Sequence, residues 1–422
     1  MFEFSESAVP KPVRAEVDIP KYPSVCCRVN MLAFRLHSDN VARLPLPARH
    51  LPEAKPMADG QGTSGQALYK IVTRFYWGYK MVLQTIWFFL WGLLWAIFFM
   101  TDGFDFGVGT LYPFLGKSDE DKRIMINSLG PLWDGNEVWL ITAGGVTFAA
   151  FPQVYAVMFS SLYSALMLIL FALILRGVSF EFRGKVDDPR WRKIWDTTIF
   201  IGSFVPALLF GVAFANIFQG IPIDGNGLYR GTLLTLLNPY GLLGGALFVL
   251  LFTTHGALWL AIKTEGELHK RAVSAASRLW LVLLIVAVVF LVASKFYTQL
   301  YDNYFAHPHF FIEILVTVFA LLGIKFFMAK KAFFKAWFSS ALAIVGATFF
   351  GVIGLYPNLF PSSIHPEYSL TATNASSSPL TLKIMLIVVI IFVPVVIGYQ
   401  VWAYNLFKGK VTAEDLTYDE AY

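Results

Sequence analysis

Cysteine is nearly missing. The 422 residues contain two, adjacent at Cys26 and Cys27, and none from residue 28 onward. That excludes a disulfide framework, a cysteine-ligated zinc site and an iron–sulfur cluster from most of the chain. Charge is scarce as well, at 14% of residues against 56% hydrophobic. Soluble domains carry about 25% charged residues. The chain therefore reads as an all-α polytopic membrane protein. Only helices and closed barrels span lipid, and the apolar runs are unbroken, without the period-two alternation of a barrel strand. There is no Walker-type loop. The glycines of Gly103–Gly109 follow a membrane span and not a strand, so they make no dinucleotide site. The net charge of +5 comes from lysine and arginine clustered between spans and does not point to nucleic acid. No span holds two histidines at helical spacing. His255 is alone inside one and reads as a hydrogen-bonded core residue, so the chain lacks the ligand pairs of a haem or copper protein.

What is there begins with a contrast. Residues 1–80 are rich in Pro, Arg and Ala, without a sustained helical period or a long apolar run. They read as a disordered tail or as an early gene start, with true initiation at Met81. Trp77-Gly78 requires a G-rich codon run just before Met81, where a ribosome-binding site would lie. Residues 81–422 form the transmembrane domain. A span needs about 20 mostly apolar residues. Nine stretches qualify, near 82–104, 131–153, 154–176, 197–219, 238–262, 276–297, 309–329, 333–357 and 380–406. Pro152 marks a tight turn between the second and third. The nine are expected to form two four-helix bundles plus one extra helix. Lysine and arginine gather in the loops after spans one, three, five, seven and nine, while 220–237, 298–308 and 358–379 have few. The positive-inside rule makes the first set cytoplasmic, along with the carboxy terminus.

Ionisable residues in or beside a span are expensive and mark function. Asp102 and Asp105 are three apart, hence on one helix face, and Asp134 and Glu137 share that spacing. Arg176 ends the third span and Asp196 opens the fourth. On alternating spans Asp105, Asp134, Arg176 and Asp196 fall near the cytoplasmic side. One arginine among several carboxylates makes a buried network and a proton path. The bland alternative is helix capping, an ordinary role for Asp134 in a first turn. Ion coupling in a secondary transporter would use the same carboxylates, but no matched set of broken, glycine-rich helices is present in both halves.

The segments Thr101-Asp-Gly-Phe-Asp-Phe-Gly-Val-Gly109, Arg123-Ile-Met-Ile-Asn127 and Trp133-Asp-Gly-Asn-Glu-Val-Trp-Leu-Ile-Thr-Ala-Gly-Gly145 closely resemble subunit II of the bacterial cytochrome bd quinol oxidases. So do Trp191-Arg-Lys-Ile-Trp-Asp196, Phe200-Ile-Gly-Ser-Phe-Val-Pro206, Gly266-Glu-Leu-His269 and Phe360-Pro-Ser-Ser363. The similarity runs in order from about Met81 to the end of the chain; 298–308 is short beside some members. The resemblance implies a nine-span non-haem subunit in the bacterial cytoplasmic membrane. Its haem-bearing partner, subunit I, would hold haem b and haem d and oxidise quinol at the outer face. Protons for water would come from the cytoplasm. Subunit II would bind no haem, could hold a structural quinone, and could sit beside small accessory subunits. Asp105, Asp134, Arg176 and Asp196 match the family's acidic network, with Asp102 beside them and Trp133 next to the mouth of the path.

Overall fold

The computed structural model describes residues 63–417, with side chains from residue 78 on. Residues 1–62, and with them most of the stretch set apart as tail or early start, lie outside the described residues. Helix α1 (Thr63–Leu115) begins inside that stretch, and its part from Gly78 is membrane-length. It continues eleven residues beyond the expected 104, so Asp102 and Asp105 lie inside a helix and not at the end of one. A short α2 (Asp119–Asn127) follows, started by a capping box of Ser118 and Asp121. Then come α3 (Trp133–Ala150), α4 (Pro152–Ser161), α5 (Tyr163–Phe182) and α6 (Pro189–Gln219). After a turn of helix, α7 (Leu233–Leu236), the chain forms α8 (Pro239–Lys263), α9 (Gly266–Tyr297), the short α10 (Leu300–Ala306), α11 (Phe311–Ala329), α12 (Phe333–Leu355) and α13 (Pro379–Leu406). Two short antiparallel strands, β1 (Asn358–Phe360) and β2 (Leu370–Thr371), are the sheet among the described residues.

Eight of these helices are long and apolar enough to cross a membrane, one fewer than expected. The shortfall is α3, where Asp134, Asn136 and Glu137 dilute the apolar residues. Its 18 residues still measure about 27 Å, close to the ~30 Å of a hydrocarbon core. Its two ends also lie at opposite faces of the bundle. Trp133 packs on Phe180 near the end of α5, and the Ala150 carbonyl accepts from the Ser377 N–H just before α13. It is thus the ninth traverse, with a side too polar for lipid. The third span is corrected as well. The chain breaks at Phe151 and again at Leu162, and the apolar crossing is Tyr163–Phe182 in place of 154–176. Pro152 starts α4, where its missing N–H is no loss.

Contacts fix which loops share a face. Arg271 of α9 pairs with Asp121 of α2, Arg183 after α5 pairs with Asp119 of α2, and Lys263 of α8 donates to the Phe407 carbonyl after α13. His269 meets Phe333 at the start of α12. All the lysine- and arginine-rich loops therefore lie on one face. On the other, Ile221 bridges to Ser362, and Asn303 donates to the carbonyls of Gly354, at 3.0 Å, and Tyr356.

Helix α1 is the axis of the packing. Gly107 faces Gly256 of α8 so closely that a methyl on Gly256 would lie 2.6 Å from the Gly107 carbonyl carbon. Near the end away from the basic loops Trp87 donates to the Leu382 carbonyl of α13 at 2.9 Å. Helix α5 packs on α6; α9 and α12 pack on α8, and α11 packs on α12 and α9. The two groups share the α1–α8 and α6–α8 contacts, so one aromatic core runs through Trp95, Phe99, Phe210, Phe214 and Phe248.

Candidate functional site: a charge cluster inside the bundle

Three traverses bring ionisable groups into this apolar core. Arg176 of α5 is fully buried. Its Nη2 donates to Asp102 Oδ1 of α1 at 2.9 Å and to Glu137 Oε1 of α3. The guanidinium lies 4.4 Å from the centre of the Phe106 ring, a cation–π contact that also excludes water. It sits where α5 and α6 come close because position 202 is glycine. A methyl there would stand 2.7 Å from the Ala172 carbonyl oxygen and 2.8 Å from Arg176 Cβ.

Asp105, one turn after Asp102 on the same helix, is also buried, and its Oδ1 is left without a hydrogen-bond partner. Asn136 Nδ2 donates to Asp105 Oδ2 at 2.7 Å, and the Tyr404 hydroxyl of α13 donates to Asn136 Oδ1 at 2.8 Å. Two hydrogen-bonded chains, Glu137–Arg176–Asp102 and Asp105–Asn136–Tyr404, meet on one turn of α1 and together form a polar array that crosses the core through four helices. It sets three carboxyl groups against one guanidinium.

The grouping expected from sequence divides here. Asp102, Asp105 and Arg176 meet, but Asp134 is exposed on the outer side of α3. The reason is angular. Asn136 and Glu137 take the inward positions of that turn, which leaves Asp134 facing away. Asp196 belongs to a second cluster at the basic face. It accepts from the Tyr112 hydroxyl at 2.9 Å, Lys122 Nζ at 2.7 Å and Arg183 Nε at 2.6 Å. Arg183 also holds Asp119 at 2.7 Å. Burial pushes the Asp119 carboxyl up, but the Arg183 hydrogen bond and charge outweigh it and hold that carboxyl below its ordinary range. Trp133 lies against Gly177 and Phe180 of α5, one turn from Arg176. Asn136 and Tyr404 escaped the sequence reading, since an asparagine and a tyrosine raise no alarm in an apolar helix. The signal available was Asn136 standing within the acidic motif itself.

His255 is fully buried in α8, with Nδ1 2.5 Å from the Ser340 hydroxyl, Nε2 3.1 Å from the Met100 carbonyl, and the ring stacked on Trp337. Both nitrogens are engaged, which fits a core histidine better than a metal ligand.

The profile of the family described as cytochrome bd terminal oxidase subunit II matches residues 83–407. The chain belongs to the cytochrome bd oxidase subunit II family. It is 41% identical over 362 residues to the probable cytochrome oxidase subunit 2 of Haemophilus influenzae, covering 78% of this chain and 96% of that one. It is 38% identical over 338 residues to cytochrome bd ubiquinol oxidase subunit 2 of Bacillus subtilis, covering 80% and 99%. With cytochrome bd-I ubiquinol oxidase subunit 2 of Escherichia coli the identity is 41% over 368 residues, covering 79% and 97%. The fold is shared with a chain of the bd oxidase structure from Geobacillus thermodenitrificans, at a TM-score of 0.65 and 16% identity, over 77% of this chain and 98% of that one. This subunit II is thus an integral membrane protein of an oxidoreductase family of the respiratory chain. Its relatives cover the membrane part that contains both charge clusters.

Proposed function

We propose that this chain is the non-haem subunit of a quinol:oxygen oxidoreductase in a bacterial cytoplasmic membrane, packed against a haem-bearing subunit I. Its buried cluster would take protons from the cytoplasm toward the place where the partner reduces dioxygen to water. The observation that carries the proposal is the array of three carboxyl groups and one guanidinium inside an apolar bundle of this family. Burying two uncompensated negative charges costs far more than holding a proton on one carboxyl. A cluster of this composition therefore stores a proton and can pass it between neighbouring carboxyl groups. The Asp196 cluster and Trp133 lie between Arg176 and the basic face, on the side from which protons would come. With b and d haems bound in subunit I, electron transfer and dioxygen binding reside there; this chain holds and moves protons. Electrons taken at the outer face and protons at the inner would charge the membrane without pumping.

A structural quinone has a fitting place. A narrow apolar cleft, open at its side, lies among α8, α9, α11 and α12, with Phe248, Phe290 and Phe350 on its walls and Glu313 at its polar end.

The test is oxygen uptake per haem in the purified complex carrying Asp105→Asn. A neutral, non-titrating group in the array is expected to slow turnover at least tenfold, with haem spectra unchanged. Unchanged turnover per haem would remove the proton-path role.

A further inference from the structure

Tyr404 lies outside every acidic motif of the sequence, on the least buried of the eight membrane-length helices among the described residues. Three side-chain bonds tie that helix to α3. Trp139 Nε1 donates to Gln400 Oε1 at 2.9 Å, Gln400 Nε2 donates to the Gly135 carbonyl at 2.9 Å, and the Tyr404 hydroxyl donates to Asn136 Oδ1 at 2.8 Å. The last of these has a consequence inside the cluster. An amide has one acceptor end and one donor end. With its oxygen held by the Tyr404 hydroxyl, Asn136 turns its nitrogen to Asp105, at 2.7 Å. Flipped, it would set its oxygen against the carboxyl group.

Tyr404 is itself held from behind. Its ring lies 6.3 Å from Phe104 and 6.1 Å from Trp259, and these two rings stack at 4.4 Å. Beyond it the chain is strapped across the basic face. Lys263 Nζ donates to the carbonyls of Phe407 and, at 2.9 Å, Gly409. The Val411 N–H donates to the Lys263 carbonyl at 2.8 Å, and Arg123 Nη2 donates to the Leu416 carbonyl at 3.0 Å.

We propose that Tyr404, acting through Asn136, is a positioning residue for Asp105, and that the strap held by Lys263 keeps it in register. The proposal rests on the reading of the cluster as a proton path. The groups around Asp105 are Asp102 of its own helix, Arg176 of α5 with Glu137 of α3 as that arginine's partner, Asn136 of α3, and, one bond further, Tyr404 of α13. Of these, the Asn136 bond alone is oriented from the carboxy-terminal helix.

The experiment uses the complete complex with Tyr404→Phe, Lys263→Met and Asp105→Asn, each read by turnover per haem and by the pH profile of turnover. Tyr404→Phe removes one hydroxyl without changing shape. It is expected to leave haem content intact, to lower turnover about two- to tenfold, the worth of one hydrogen bond, and to displace the pH profile. Lys263→Met, far from the cluster, is expected to displace the profile in the same sense by less. It stands in for Tyr404→Phe should that variant not assemble. A slowed Asp105→Asn beside a normal profile in both other variants would overturn the positioning role alone. A normal Asp105→Asn would instead remove the proton path and this proposal with it.

Discussion

Asp134 and Glu137 are three residues apart in one motif, yet they meet different surroundings. Glu137 reaches Arg176 inside the bundle, while Asp134 is exposed. Acidic pairs stand out in an apolar sequence, so Asp102, Asp105 and Arg176 were legible from their cost alone. Which member of the α3 motif points inward was not legible, because the helix rotation is set by packing on α1 and α5. Removing Arg176 would leave Asp102 buried without its cation. Arg176→Met is expected to cost about 3–5 kcal/mol, and thermal unfolding of the purified complex should show it as a large loss of stability. Asp134→Asn should cost far less in the same measurement; equal losses would mean that Asp134 is buried in the complex. At the opposite face, Asp224 accepts from the Leu228 and Asn226 N–H groups and from Arg230. The Leu228 bond first, then Arg230, holds its carboxyl below the ordinary range. A depressed folded value means that this stabilisation is full above the ordinary carboxylate range and fades as pH falls through the depressed one. Amide protection factors in the 224–230 turn should therefore be high at neutral pH and fall in acid, and Asp224→Asn should remove that dependence.

Among elements, all nine traverses were read as apolar runs, but α3, expected over 131–153, is too polar at its start to count as one, and eight helices are long and apolar enough to cross. The third span was misplaced because residues 154–175 carry no charged residue, so hydropathy has no feature with which to mark the break at Leu162. Close approach of helices was also hidden. Gly202 is one glycine among 32, and only the coordinates show α6 resting on the Arg176 turn of α5. Gly202→Ala would need α6 to shift away from α5 and is expected to cost about 1–3 kcal/mol. Because it moves the turn that holds Arg176, it should lower both the unfolding temperature and turnover per haem. Loss of stability with normal turnover would separate Arg176 placement from proton delivery.

For the whole molecule, the alternation of basic and neutral loops predicted which segments share a face, and ion pairs such as Arg271–Asp121 and Arg183–Asp119 bear that out. We propose, on the positive-inside rule, that the basic face meets the cytoplasm. Single cysteines at Ser118, Lys185 and Lys331 should react with an impermeant thiol reagent from the cytoplasmic side alone. Cysteines at Gly225, His309 and Glu367 should react from the outside, with the native Cys26 and Cys27 replaced first. The reverse pattern would turn the proton path toward the wrong compartment. The long-range contact of Tyr404 with Asn136, 268 positions apart, belongs to this scale as well. No local pattern announces it, since it arises when α13 folds back on α3.

The most direct measurement is purification of the complex through a tag on this chain, followed by a reduced-minus-oxidised optical spectrum and a quinol-dependent oxygen uptake assay on the same sample. The account predicts b- and d-type haem bands carried by a co-purifying larger subunit, with oxygen uptake that depends on added quinol. A stable, pure chain with neither haem bands nor a partner would contradict it.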